Sequence, residues 1–273
     1  MSRHLHDLGT KILQEGHWIY NERTGTNCLT IPIHIATYTE DDFPIDTTRK
    51  QAFKAPIMEL IGYLRGFTNA QDFADIGSPT WFGNANETEA WLENPNRKFE
   101  NDMGLVYGAV AMPEIKEVFD KIAKGEDDRG LIINFWKPEM FGKGCLRPCL
   151  HTHAFQIVGD TINLTSTQRS ADVGMAASWN AIQCYWLLKM AAHISGLKFG
   201  KATHIIHHAH IYESHFSDFT IQMSREPIEL PNCRMEFNEE ISSLEDLQTW
   251  VTKDDFTLVG YEHHESIKYE FIT

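Results

Sequence analysis

The sequence predicts an α/β protein of the α+β type, and three features point there. Helical and strand periodicities are interleaved without the regular strand–helix–strand alternation of a doubly wound sheet. HAFQIVGDTINLTSTQR (153–169) alternates on both sides of a Gly-Asp turn, an antiparallel hairpin signal. WNAIQCYWLLKMAAHIS (179–195) is apolar almost all round, which marks a helix buried at the centre of a fold.

The remaining elements are taken in chain order. Leu5, Leu8, Ile12 and Leu13 recur at helical spacing over 4–15. ERTGTN (22–27) is turn chemistry, and the alternation of LTIPIHIATY (29–38) reads as a strand. AFKAPIMELIGYLR (52–65) puts Ile57, Met58, Ile61 and Leu64 on one helical face, with Glu59 inside the run. Gly77 to Asn101 has no clean period and reads as a long functional loop with short helical pieces. Residues 114–124 form an amphipathic helix ended by Gly125, and LIINFW (131–136) a buried strand. THIIHHAHIY (203–212) is a further strand, and Gly260 to Thr273 an extended closing segment.

With 273 residues, 42% of them hydrophobic, the chain can bury a large core, and it has no low-complexity stretch or Pro/Gly-rich linker. A single domain over 1–273 is expected. There is no run of apolar residues long enough for a membrane span, and the N-terminal stretch lacks the pattern of a secretory signal. A cytoplasmic protein is expected, in a host cytoplasm if the chain is phage-encoded, with its five cysteines as free thiols. The net charge of −14 argues against nucleic acid as a partner, since a phosphate backbone demands a basic face. An anionic small molecule then needs a local cluster of arginines.

CLRPCLHTH (145–153) concentrates the reactive residue types. As a metal site it is poor: Cys145 and Cys149 are not followed by a second ligand pair across a longer loop. His151 and His153, two apart on a strand, are expected to share one face. No metal is expected. Structural thiols and a nucleophile remain; for Cys149, a cationic neighbourhood around Arg147 would make the thiolate available.

ERTGT (22–26), FPIDTTRK (43–50), MELIGYLRG (58–66), GLVYG (104–108), RPC (147–149), QRSADV (168–173), Asn180, HIY (210–212) and GYEHHESIKYEFIT (260–273) resemble thymidylate synthase in order and spacing. The resemblance covers essentially the whole chain. It implies a thymidylate synthase-like fold: a mixed twisted sheet with surrounding helices, the sheets packed at the interface of a homodimer. It implies that Cys149 is the nucleophile adding to C6 of a uracil nucleotide, so that C5 can attack the one-carbon unit of 5,10-methylenetetrahydrofolate. Glu59 matches the family's buried general acid and base, with a pKa raised toward neutrality. Tyr107 matches the residue that helps remove the C5 proton. The phosphate falls to Arg23, Arg169 and Ser170, with Arg129 reaching across from a second subunit. His210 and Tyr212 match the pair on the sugar 3′-hydroxyl. Asn180 matches the amide that reads the base edge, and Asn rather than Asp points to dUMP. Trp81, Leu146, Asp172, Ala176 and Trp179 fall at folate-binding positions.

The pattern breaks on the folate side. VGMAASW (173–179) stands where the family carries a segment close to V-P/F-L-G-L-x-F, and GLVYGAVAM lacks the Gln and Arg that usually follow the Tyr motif. A remodelled folate wall that admits water would give a hydroxymethyl product, as in the nucleotide hydroxymethylases of phages with modified DNA. The expectation is therefore a dUMP hydroxymethylase. Thymidylate synthase is the close alternative, and an inactive nucleotide-binding homologue the third. Asn180→Asp is expected to move preference from dUMP toward dCMP, because a protonated carboxyl complements the cytosine edge. Competition between the two nucleotides in a turnover assay checks this, and an unchanged preference would remove Asn180 from the substrate argument.

Overall fold

In the computed structural model, which describes residues 3–272, a seven-stranded mixed sheet is flanked by helices. The chain opens with α1 (His4–Glu15) and β1 (His17–Asn21), which turns at Gly25 (φ 63°) into the long β2 (Thr26–Tyr38). Helices α2 (Lys54–Arg65), α3 (Ala70–Ile76), α4 (Phe82–Asn86), α5 (Glu89–Leu92) and α6 (Gly108–Ala123) come next. Then come β3 (Ile132–Asn134), β4 (Leu150–Val158), β5 (Thr161–Gln168), β6 (Ala171–Asp172), α7 (Ala177–Ser195) and β7 (Lys198–Tyr212). The chain continues through α8 (Phe216–Met223), β8 (Arg234–Phe237), α9 (Leu244–Thr249) and β9 (Phe256–Val259). The sheet order is β1-β2-β7-β5-β4-β3, with β6 pairing beside β7; β8 and β9 form a separate ribbon. Most pairs are antiparallel, but β5 and β6 each run parallel to β7. Helix α7 supplies the crossover between β5 and β7, and that requirement puts it against the sheet.

Alternate residues of β2 serve two cores. Ala36 and Tyr38 join the main cluster with α2, α6 and α7, whereas Leu29 and Ile31 pack under α1 and α8. Helix α7 has no exposed apolar face to spare: Ile182, Trp186, Leu188 and Met190 are all buried on successive sides. Among the described residues no helix is long and apolar enough to cross a membrane.

The expected elements form, with shifted bounds that have local causes. Helix α6 begins at Gly108 rather than 114, because Pro113 and a non-helical Ala111 (φ −114°, ψ 19°) join two helical pieces across a kink. The periodic stretch legible in the sequence starts only after Pro113. The expected buried strand 131–136 shrinks to β3, and Ile132 faces outward; the Asn134 side chain accepts the Trp136 N–H at 3.0 Å and turns the chain. After Gly260 (φ 72°) the closing segment is extended but joins no strand, and its last residue, Thr273, lies outside the described residues.

Helices α2 and α6 approach each other closely at one glycine. A Cβ on Gly108 would lie 1.6 Å from the Tyr63 carbonyl oxygen, so α6 meets α2 backbone to backbone. Gly108→Ala is expected to destabilise the fold by about 3 kcal/mol through overpacking. Gly142→Ala, where a Cβ meets nothing within 4 Å, is expected to cost within about 0.5 kcal/mol. Urea unfolding of the two variants checks the contrast, and equal midpoints would contradict it.

Candidate active site

Cys149 sits at the mouth of β4, just after Pro148, partly open to solvent. Its neighbour across the sheet is the end of β5, where Arg169 N–H donates to the Cys149 carbonyl at 2.9 Å. The guanidinium then folds back: Nε donates to the Pro148 carbonyl at 3.0 Å, and Nη2 reaches the Arg147 carbonyl at 3.1 Å and the Cys149 Sγ at 3.5 Å. The guanidinium therefore lies against the Cys149 sulfur. The other cysteines have the opposite environment. Burial pushes the Cys28 thiol up to about 11 and those of Cys145 and Cys184 up to about 12.

Tyr107 faces Cys149 from the turn before α6. Its hydroxyl accepts the Cys149 N–H at 3.0 Å, and its ring stacks on Tyr63 at 4.3 Å. Its backbone is strained, φ 44° and ψ −114°, in the residue that precedes the Gly108 contact with Tyr63. Strain of this kind persists only where surrounding packing over-determines it. Burial raises the Tyr107 phenol well above its ordinary range, and the Cys149 charge adds to that.

Glu59 is buried on α2, as the apolar run around it predicts. Thr80 Oγ1 donates to Oε1 at 2.7 Å; Trp179 Nε1 and Gln183 Nε2 each donate to Oε2 at 2.8 Å. Burial raises the Glu59 pKa, and donors from Thr80, Trp179, Gln183 and Tyr63 act against it. The expected rise therefore has its expected cause.

Asn180 lies in the first turn of α7 within a chain of oriented amides. Gln168 Nε2 donates to Asn180 Oδ1 at 2.9 Å, and Asn180 Nδ2 donates to Gln183 Oε1 at 3.0 Å. One N–H and one lone pair of the Asn180 amide remain, the complement of a uracil O4 and N3–H edge. Buried His204 Nε2 meets Gln168 Oε1 at 2.8 Å, so that nitrogen carries the proton and sets the direction of the chain. Burial holds His204 neutral, with its pKa lowered to about 3.

The other expected site residues divide. His210 and Tyr212 end β7, their rings edge to face at 5.0 Å; burial lowers the His210 pKa and raises that of Tyr212, and exposed Arg23 lies close enough to act on both. Ser170 offers its carbonyl to Gln168 Nε2 at 2.9 Å. Asp172 pairs with His210 in the sheet register; its Oδ1 accepts the Gly174 N–H at 3.0 Å, and Oδ2 lies 3.6 Å from His215 Nδ1. Trp81 is buried against Tyr63, Phe73 and Tyr107, Leu146 packs on the main core, and Ala176 precedes α7. Arg129 stands apart. Its turn is tied to β4 at Ile157 by Asp127, the far end of a strand that starts beside Cys149, roughly 25 Å away. Trp179, expected on the folate side, donates its indole N–H to Glu59.

The closing segment packs beside the turn after Asp172 and beside α4. His215 Nε2 meets the Glu270 carbonyl at 2.9 Å, the Arg49 guanidinium lies 5.3 Å from the Tyr269 ring centroid, and Phe271 packs on Gly83. One expectation fails: His151 and His153 do not share a face. The register shifts between Leu150 and Thr152, so His151 is the bulged residue, its ring near Trp136, while buried His153 meets Ser166 Oγ at 2.8 Å. Among the described residues no group of three or more His, Cys, Asp or Glu can hold a metal ion. Tyr63 and Gln168 lie inside quoted motifs without being singled out, and Thr80, Gln183 and His204 carry no signal of their role in the sequence, with one exception. Gln183 stands out as a polar residue three after Asn180 in a helix otherwise almost wholly apolar.

Comparison with known proteins agrees in one direction. The thymidylate synthase family model matches residues 3–273. Proteins named thymidylate synthase are similar over nearly full length. That of Aliivibrio fischeri is 48% identical over 97% of this chain and 98% of its own. That of Idiomarina loihiensis is 49% identical over 97% of both, and that of Shewanella halifaxensis 48% over 97% and 98%.

Iodoacetamide near neutral pH is expected to alkylate Cys149 at least about tenfold faster than Cys28, Cys145 or Cys184, as read by peptide mass mapping. Comparable labelling of Cys145 would remove the distinction between the exposed and buried thiols.

Proposed function

The chain belongs to the thymidylate synthase family, and from that premise we propose that it methylates dUMP at C5, giving dTMP and dihydrofolate. One observation carries the reading. A partly open thiol, a strained tyrosine, a buried carboxylate and an amide with one free donor and one free acceptor are joined in one run of contacts through Tyr63 and Gln183. Cys149 sulfur adds to C6 of the pyrimidine and leaves it again, with its bonding pair, before the product is released, and Asn180 holds the O4 and N3–H edge. Glu59 and Tyr107 move protons at O4 and C5. Arg23, Arg169 and Ser170 take the phosphate, and His210 and Tyr212 the sugar hydroxyl.

The residues present fit the folate. Asp172 Oδ1 is taken by backbone N–H groups while Oδ2 lies beside His215 with lone-pair capacity left, an acceptor for the amide-like edge of a pterin. Trp81, Leu146, Ala176 and Trp179 would hold the ring system beside it. When bound, 5,10-methylenetetrahydrofolate supplies the one-carbon unit and the hydride. The closing segment, lying over the cleft through Tyr269 and Phe271, would exclude water from the reacting carbon.

The hydroxymethyl product and a phage DNA-modification role draw no support from relatives that carry the name thymidylate synthase at such identity. A methyl product is therefore preferred over the one expected from the 173–179 segment. We read the whole chain, 1–273, as one catalytic domain that works as a homodimer. Ile33 and Ile35 leave an apolar strip exposed on β2, with Ile205 and His207 opposite on β7, a surface suited to a second copy. Arg129, remote from Cys149 in its own chain, would then serve the partner's phosphate site.

Mass spectrometry of the nucleotide made from dUMP and methylenetetrahydrofolate, with dihydrofolate followed in the same tube, tests the reading. A methyl product matched by dihydrofolate is expected. A hydroxymethyl product without dihydrofolate overturns the methyl reading, and no product overturns the catalytic one.

A further inference from the structure

The two oxygens of Glu59 have chemically different partners. Oε2 takes the Trp179 indole N–H and the Gln183 amide N–H, each at 2.8 Å and both from the first two turns of α7. These two groups only donate, and two donors occupy both lone-pair directions of one oxygen. A proton placed on Oε2 would face two groups that cannot accept it. Oε1 is different. The Thr80 hydroxyl meets it at 2.7 Å and donates to a carboxylate but can rotate to accept from a carboxylic acid, and the Tyr63 hydroxyl is a further partner of Glu59.

We propose that Trp179 is a positioning residue for Glu59: its indole N–H reserves Oε2 as a permanent acceptor, so that the proton of the acid–base cycle loads and leaves at Oε1. The inference rests on the reading of Glu59 as general acid and base. Phenylalanine at 179 would fill most of the same space and leave Oε2 with Gln183 alone. The carboxylate then gains a second protonation site and loses a donor that favours its ionised form. The other titratable groups facing Glu59 are Tyr63 from its own helix and Tyr107 from the turn before α6, with Cys149 and Arg169 beyond Tyr107. Burial raises both phenols far above their ordinary range, so neither titrates near neutrality.

The test pairs kinetics with a signal that needs no turnover. In Trp179→Phe, kcat is expected to fall about tenfold with KM for dUMP unchanged, and the pH limb belonging to Glu59 to move up by about one pH unit. A role confined to ring packing would leave that limb in place. In the intact protein labelled with 5-fluorotryptophan, the 19F resonance lost in Trp179→Phe is expected to titrate with pH and to stop titrating in Glu59→Gln. A resonance that ignores pH, or titrates equally in Glu59→Gln, overturns the proposal even if the enzyme turns over. If the resonance titrates as expected but dUMP yields no product, the functional reading fails and the Trp179 contact stands.

Discussion

A carboxylate carried into an apolar helix is tolerated only when donors meet it there, since an unpaired buried charge costs several kcal/mol. Glu59 is held from several directions at once: Tyr63 on its own helix, Thr80 from the loop that follows α3, and Trp179 and Gln183 from α7. Helices α2 and α7 therefore cannot slide relative to each other without uncovering the charge. The same amide of Gln183 accepts from Asn180, which accepts from Gln168, which accepts from His204 on β7. The acid–base group and the base-reading group are thus two stations on one oriented network, and the sheet fixes its far end.

The sheet also decides where the thiol stands. Parallel pairing of β5 with β7 demands a crossover, and α7 fills it, which delivers Asn180 and Trp179 to the end of the sheet where Cys149 begins β4. The bulge after Leu150 takes His151 out of the alternation. Arg169, just past the end of β5, reaches the thiol at 3.5 Å. Against this rigid edge the closing segment is joined chiefly by hydrogen bonds and ring contacts, through Tyr261, Tyr269 and Phe271. Such an arrangement suits a part that must open for substrate and product.

Helices 4–15 and 179–195, the 153–169 hairpin and the strands around 29–38 and 203–212 are legible in the sequence because each has a period long enough to see locally. Short or interrupted elements are not. Helix α6 hides its first turns behind Pro113, and β3 keeps only three residues because the Asn134 side chain ends it. β1, α3, α8, α9 and the β8–β9 ribbon escape a sequence reading, being short pieces whose shape comes from what they pack on.

The sequence by itself determined the family, the residue types at the cleft and the burial of Glu59, because these live in motifs and in local hydrophobic runs. Only the tertiary structure decided which atoms meet. It joined the Trp179 indole to Glu59, separated His151 from His153, set the free edge of the Asn180 amide and left Arg129 at the far end of β4. Each of those depends on contacts between residues that are not neighbours in the chain, and no local period encodes a hydrogen bond such as that between Glu59 and Trp179, which joins two separate helices.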